Sequence, residues 1–187
     1  QHEVKPQSVQ SSLNPEHQKL FDGLVTRSQD FHSELVRKGL IIRSGALAEY
    51  VQEVGYRVVP ADLVLDSNIR FYLLRNPTAN AMAFPDGSIY INVGLIALLE
   101  NEEQLAMILG HEAAHVIYRH GIEREISLSR SKVVANISDI ALVGLGLPRV
   151  SYLVAGLGML SFSREQEAES DLVGLSYLDS SGYDPAQ

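Results

Sequence analysis

Residues 111–115 read His-Glu-Ala-Ala-His, a pattern whose residue types and spacing could bind a metal ion. Residues four apart lie one above the other on a helix, so His111 and His115 could present both imidazoles to one ion. Neutral imidazole is a good ligand for zinc. Glu112 lies one residue round the helix and could reach a water molecule activated by that ion. The pattern predicts zinc as the cofactor and Glu112 as the general base of a hydrolytic reaction.

The neighbouring residues predict that this pattern lies on a helix. Asn101 is a favourable N-cap, and Gln104 at the third helical position completes a start similar to a capping box. Apolar residues recur at helical spacing on both sides of the two histidines, and helical character continues to about residue 120. We therefore expect both imidazoles to project from one helix.

A catalytic zinc ion needs a third protein ligand, and His120 is the first candidate. The metzincin pattern would place Gly at 118 and His at 121, whereas this chain has Tyr118 and Gly121. The spacing is therefore unfavourable. We interpret His120 as a polar residue at the C-terminus of the helix, where the helix dipole favours a cation.

Two glutamates, Glu167 and Glu169, are the other candidates, on a helix predicted from about residue 163 to 178. Glu167 and Asp171 are four apart and share one helix face. One of them could bind the ion while the other accepts a hydrogen bond from a ligand imidazole. Glu169 points to a different face and has no such partner. The Glu-x-x-x-Asp spacing downstream of His-Glu-x-x-His is the gluzincin arrangement, which favours Glu167.

The combination of residues 110–115 with Ser163, Arg164, Glu167 and Asp171 resembles the HtpX and CAAX-prenyl-protease family of zinc metallopeptidases. The likeness is closer to its soluble, periplasmic or lipoprotein-type bacterial branch. It extends over about residues 44–185 and includes residues 80–87, 90–95, 103–106, 116–120 and 182–185. One position departs from the family pattern, because Ser170 stands where the family usually has Ala.

The resemblance implies a zinc endopeptidase that acts on proteins or peptides. Its zinc ligands would be His111, His115 and Glu167. Glu112 would be the general base, and Asp171 would accept a hydrogen bond from a ligand imidazole. We expect an extended substrate to pair with the strand around residues 80–84, with Asn80 and Ala81 as its contacts.

Two helices are predicted before the sheet. Asn14 followed by Pro15 is a typical helix start, and apolar residues at helical spacing continue to residue 35. Ser44 is the expected N-cap of a second helix, which we expect to end near Gly55.

A small sheet is predicted between these helices and the helix that carries the histidines. Residues 69–74 and 88–92 are rich in β-formers, residues 81–84 are short and apolar, and residues 85–88 form a turn signal typical of a hairpin. The expected fold class is α+β: a mainly helical, zincin-like metallopeptidase domain with a small mixed β-sheet beside the His-Glu-x-x-His helix. We divide the chain into an N-terminal helical extension, residues 1–43, and a metallopeptidase core, residues 44–187.

Composition excludes several classes of protein. The chain has 187 residues with 15 Lys and Arg against 23 Asp and Glu, a net charge of −8, which argues against a nucleic-acid partner. It has no cysteine, which excludes disulfides, cysteine-based zinc fingers and thiol nucleophiles. With 45% hydrophobic residues it can form a globular core.

The segment 140–160 is apolar over its whole length, which would suit a membrane span, but Pro148 and Arg149 interrupt it. We interpret it as two short helices broken at residues 147–148, with a membrane-dipping hairpin as the alternative. If it covered the site, the protein would be a latent or chaperone-like zinc module of envelope quality control. Because the chain begins with Gln and ends soon after a turn signal, we expect further protein on both sides. A preceding signal or anchor would allow membrane association in the bacterial periplasm or cell envelope.

Overall fold

The computed structural model describes residues 13–131 and 162–184. Within these residues the helices are α1 (Pro15–Arg37), α2 (Ala46–Val58), α3 (Ala61–Asp66), α4 (Val93–Ile96), α5 (Glu102–Ile117), α6 (His120–Ser131) and α7 (Arg164–Ser180). The strands are β1 (Ile41–Ile42), β2 (Arg70–Leu74), β3 (Ala81–Ala83) and β4 (Ser88–Asn92). The predicted α+β class, mainly helical with one small mixed sheet, is confirmed.

The four strands form one sheet in the order β1-β2-β4-β3. β2 and β4 are parallel, whereas β1 pairs antiparallel with β2 and β3 pairs antiparallel with β4. The predicted hairpin joins β3 to β4, and the N–H of Phe84 donates to the carbonyl of Ser88 at 2.9 Å. Every residue of β4 is buried, and β3 lies at one edge of the sheet.

Helices cover both faces of the sheet. Because successive strand side chains point to opposite faces, Ile89 and Ile91 belong to one hydrophobic cluster and Tyr90 to another. The first cluster joins the sheet to α2, α5 and α7. The second joins it to α1, where the ring of Phe31 stacks on Phe84 at 4.7 Å between centroids. The helix that carries the histidines is therefore fixed against one face of the sheet.

The first helix begins as predicted. The side chain of Asn14 accepts a hydrogen bond from the N–H of His17 at 2.8 Å, and Pro15 occupies the first turn. Phe31 is completely buried, and its ring also makes a T-shaped contact with the ring of Tyr90 at 5.6 Å between centroids. These contacts make α1 part of the packed sheet. The division into residues 1–43 and residues 44–187 stays a prediction.

Replacement of Phe31 by Ala is expected to lower the free energy of unfolding by about 3–5 kcal/mol, the usual result of removing a buried aromatic side chain. The loss would be measured by urea denaturation, with the exposed Lys19→Ala on the same helix as the control. A destabilisation below about 1 kcal/mol would contradict the packing of α1 on the sheet and favour a separable extension.

The predicted bounds of the second helix are wrong at both ends. Gly45, with φ +111, takes the N-cap position, and no side chain caps this helix, so Ser44 is not its cap. The helix continues past Gly55 to Val58. A Cβ added at Gly55 would lie 2.6 Å from the ring of Phe71, so this glycine permits close packing of α2 on β2 instead of ending the helix.

The helix of the His-Glu-x-x-His pattern starts as predicted and ends earlier. Asn101 caps α5 through a 2.9 Å hydrogen bond from the N–H of Gln104, whose side chain in turn accepts from the N–H of Glu100. Helix α5 ends at Ile117, because Arg119 has φ +57 and turns the chain before α6 begins. The expectation of one helix through residue 120 is therefore wrong.

The apolar segment 140–160, with its predicted break at residues 147–148, lies outside the described residues. Among residues 13–131 and 162–184, none of the helices has the length and hydrophobicity that crossing a bilayer requires.

Candidate metal centre

The two histidines of α5 bring their imidazoles together at the end of the helix nearest its C-terminus. The Nε2 atoms of His111 and His115 are 3.0 Å apart, and His115 is buried while His111 is partly exposed. This is the geometry that the i, i+4 spacing predicts. Both ring nitrogens point toward the same region of space.

Helix α7 lies against α5 through glycine backbones, and this contact brings its carboxylates to the histidines. A Cβ at Gly174 would lie 3.0 Å from the backbone nitrogen of His111, and a Cβ at Gly110 would lie 3.3 Å from the Cα of Gly174. Both positions therefore favour a residue without a side chain. The start of α7 is fixed by a capping box, in which the Ser163 side chain and Gln166 bond each other's backbone N–H groups.

Glu167 offers the third potential ligand atom of the group. Its Oε2 lies 3.5 Å from Nε2 of His111, and the ligand atoms of His111, His115 and Glu167 all lie within 4.8 Å of one another. Two neutral imidazoles and a carboxylate are a common donor set for catalytic zinc, which takes three protein ligands and leaves one position open. The residues present therefore fit a zinc ion.

Asp171 lies one helical turn after Glu167 and contacts the other side of the His111 ring. Its Oδ1 is 2.9 Å from Nδ1 of His111. An ionised carboxylate only accepts hydrogen bonds, so this contact places the His111 proton on Nδ1 and leaves Nε2 with its lone pair. Asp171 therefore occupies the position from which a carboxylate orients a metal ligand.

The ring of His115 is enclosed by other side chains. Phe162 stacks on it at 3.9 Å between centroids, and the hydroxyl of Ser170 lies 3.3 Å from its Nδ1. Burial, with smaller contributions from His111 and His120, lowers the pKa of His115 to about 3. The imidazole is therefore neutral near pH 7 and has a lone pair available for a metal ion.

Glu112 lies beside the edge strand β3. Burial, with a smaller contribution from Glu167, raises the pKa of Glu112 to about 8, while a hydrogen bond from the backbone of Ala83 opposes the shift. A carboxyl group with a pKa close to neutral can both accept and return a proton.

The metal-free protein should become less stable as the pH rises, because folded Glu112 keeps its proton to about pH 8 whereas the unfolded chain loses it near 4.5. We expect Glu112→Gln to remove this slope and to raise the Tm of the chelator-treated protein at pH 7 by at least about 2–4 °C. The measurement should cover pH 6.5 to 8, where Glu112 alone of these two residues changes stability with pH. Below pH 6.5 the lowered pKa of His115 makes the protein more stable as the pH rises, which would oppose the contribution of Glu112. Equal Tm–pH profiles for the two proteins would contradict the raised pKa.

The predicted substrate contacts lie at the start of β3. The N–H of Asn92 donates to the carbonyl of Asn80 at 3.0 Å, so that carbonyl is used within the sheet. Residues alternate along an antiparallel edge, and Ala81 and Ala83 therefore turn their backbone groups away from β4. Asn80 and Ala81 as substrate contacts stay predictions.

The two rejected candidates for the third ligand occupy positions that the sequence reasoning missed. The interpretation of His120 as a residue at the C-terminus of the helix is wrong: it begins α6 and is only 1% exposed. Its Nε2 lies 3.0 Å from Oε2 of Glu169, so Glu169 does have a partner. The left-handed turn at Arg119 reverses the chain direction, so that His120 contacts His115 of α5. The residue at this turn is not a glycine, so the sequence gives no signal for it.

A metal-ligand group on a His-Glu-x-x-His helix, completed by a glutamate from a later helix and lying beside a mixed sheet, is the arrangement of a metallopeptidase. Residues 46–187 match Peptidase family M48, and the chain belongs to this family. The match begins with the first residue of α2. The predicted family resemblance is confirmed.

Three relatives illustrate the similarity. Mitochondrial metalloendopeptidase OMA1 of Schizosaccharomyces pombe is 30% identical over 138 residues, which cover 73% of this chain and 40% of the relative. The beta-barrel assembly-enhancing protease of Escherichia coli K12 is 29% identical over 154 residues, 78% of this chain and 32% of the relative. That of Yersinia pestis is 31% identical over 166 residues, 83% of this chain and 34% of the relative. The chain therefore spans about a third to two fifths of the length of these relatives. The family match, together with the relative that is named a metalloendopeptidase, supports the predicted class, a metalloendopeptidase.

Proposed function

We propose that the protein is a zinc-dependent endopeptidase that hydrolyses peptide bonds of misfolded or envelope proteins. One observation carries the proposal: the ligand atoms of His111, His115 and Glu167 converge within 4.8 Å, with Glu112 on the adjacent helical position. A site with only a structural role would need a fourth protein ligand and would have no use for a base.

The proposed roles follow from the chemistry of each side chain. His111, His115 and Glu167 would hold one zinc ion, which when bound makes a water molecule more acidic and polarises a carbonyl. Glu112 accepts the proton of the attacking water and then donates it to the leaving amine. Asp171 keeps the His111 ring in the tautomer that leaves Nε2 free.

The edge strand is the proposed docking site for an extended substrate. The backbone groups of Ala81 and the carbonyl of Ala83 face away from β4 and could pair with a substrate strand by β-addition. The Ala83 N–H bonds the Glu112 carboxyl, so this edge lies beside the proposed base. A substrate paired there would bring a peptide carbonyl close to the histidines.

We also propose that the protein acts in the bacterial periplasm or cell envelope, held there by a signal or anchor that precedes the chain. Support comes from relatives in Escherichia coli and Yersinia pestis that are named as beta-barrel assembly-enhancing proteases. Cell fractionation of the full-length protein would test this, and a protein found only in the cytoplasm would contradict it.

The test of the proposed function combines elemental analysis with the hydrolysis of a labelled casein. We expect one zinc ion per chain, loss of hydrolysis on treatment with a chelator, and its return when zinc is added. A chain that binds zinc without any hydrolysis would favour the latent or chaperone-like module instead. A chain purified without chelator that contains no zinc would contradict the metal site itself.

A further inference from the structure

His120 makes two short contacts with its ring nitrogens although it lies in the protein interior. Its Nδ1 is 2.9 Å from Nδ1 of His115, and its Nε2 is 3.0 Å from Oε2 of Glu169. The residue is 1% exposed and is among the largest fully buried side chains of the described residues. A buried imidazole with both nitrogens engaged is fixed in orientation.

The positions of the protons follow from the types of groups in this chain. The carboxylate of Glu169 only accepts, so Nε2 of His120 carries the proton and its Nδ1 is an acceptor. Nδ1 of His115 must then donate, which leaves Nε2 of His115 with its lone pair. That Nε2 is the atom 3.0 Å from Nε2 of His111, within the group of metal-ligand atoms.

We propose that His120 and Glu169 are positioning residues of the metal centre, which hold His115 in the orientation and tautomer that metal binding requires. They would do for His115 what Asp171 does for His111, with one additional imidazole between the carboxylate and the ligand. The inference rests on the proposed metal site, since it concerns the residues that support one of its ligands.

The backbone supports this role. Arg119 adopts φ +57, a left-handed conformation that a residue with a side chain adopts at an energetic disadvantage of about 1–2 kcal/mol. Because of that turn, the His120 ring lies between His115 of α5 and Glu169 of α7. Ser170, which is fully buried, has its hydroxyl within 3.4 Å of Nδ1 of His120 and leaves space for the ring.

The test measures the zinc dissociation constant of the whole chain by competition with a chromophoric chelator. We expect His120→Phe, which keeps a ring and removes both nitrogens, to weaken zinc binding by about 10- to 100-fold. His120→Asn should restore most of the loss, because its side-chain oxygen can occupy the place of Nδ1 and accept from His115. Glu169→Ala, at a partly exposed position, should weaken binding in the same direction.

A second readout separates positioning from a merely structural role. The visible spectrum of the cobalt-substituted protein reports ligand geometry, and we expect it to change in His120→Phe and Glu169→Ala but not in the control Asp179→Asn. Zinc affinities within twofold of wild type for both variants, with unchanged cobalt spectra, would overturn the inference while leaving the metal site intact. Failure of the wild-type chain to bind zinc would overturn the proposed metal site and this inference with it.

Discussion

Exchange of Glu112 for Gln is expected to lower the rate of peptide hydrolysis by about 10²- to 10⁴-fold, the contribution typical of a positioned general base. Gln has nearly the same size and shape, but it cannot take a proton from water. Because Glu112 is not one of the three grouped ligands, the zinc content should stay equal to that of the wild type. Initial rates on a labelled casein and elemental analysis would be measured on the same preparations.

Glu103→Gln is the matched control for this experiment. Glu103 lies near the start of the same helix, nine residues before Glu112, which corresponds to about 13 Å along α5. Its exchange should leave both hydrolysis and zinc content unchanged. Wild-type hydrolysis by Glu112→Gln would show that another group is the base, and loss of zinc together with hydrolysis would show that Glu112 supports the ligands instead.

The parts of the site that the sequence could predict depend on spacing within a single helix. His111, Glu112 and His115 lie within one and a half turns of α5, and Glu167 and Asp171 lie one turn apart on α7. Once each segment is recognised as a helix, the shared face follows from 3.6 residues per turn. The distance between the two helices does not follow from this periodicity, because it depends on the glycine contact between their backbones.

The wrong interpretation of His120 has a physical cause. Its environment is set by the left-handed turn at Arg119 and by a partner 49 residues away, Glu169. Left-handed turns are usually marked by glycine, and here the glycine is at 121. The sequence pattern therefore predicts that α5 continues to about residue 120, with His120 at its C-terminus.

The fold was predicted best where a turn or cap has a strong local signal. Asn14 and Asn101, which were predicted as N-caps, cap their helices through their side chains, and α7 begins next to Ser163, close to the predicted start at about residue 163. The prediction was weaker where tertiary packing decides, as with Gly55, which permits contact with Phe71 instead of ending a helix. The same applies to α1: its amphipathic pattern indicates that one face is buried, but not that the second face of the sheet is what buries it.

The closing Gly-Tyr-Asp sequence has a role that its turn signal did not reveal. The hydroxyl of Tyr183 donates to Glu102 at 2.7 Å, and Arg57 of α2 donates to both residues. These bonds connect the end of α7 with the first turn of α5, while the contact between His111 and Asp171 connects the middle of the same two helices. The pair of helices that carries the site is therefore joined by polar contacts at two places.

Replacement of Glu167 by Ala is expected to weaken zinc binding by more than the roughly 10- to 100-fold that follows the loss of a supporting hydrogen bond. The change removes one of the three converging ligand atoms and leaves two imidazoles, an incomplete set for catalytic zinc. Zinc content after dialysis should fall well below one ion per chain, and hydrolysis should fall with it. The dissociation constant would again be measured by competition with a chromophoric chelator.

Two other substitutions on α7 distinguish the loss of a zinc ligand from the loss of a supporting contact and from a change without effect on zinc binding. Asp179→Ala, at an exposed position near the end of the helix, should bind zinc as the wild type does. Glu169→Ala should give an intermediate affinity, because it removes support for His115 but no ligand atom. Zinc affinity should thus be highest in Asp179→Ala, intermediate in Glu169→Ala and lowest in Glu167→Ala. If Glu169→Ala lost zinc while Glu167→Ala retained it, the third ligand would be Glu169, and α7 would have to turn about its axis to bring that carboxylate to the histidines.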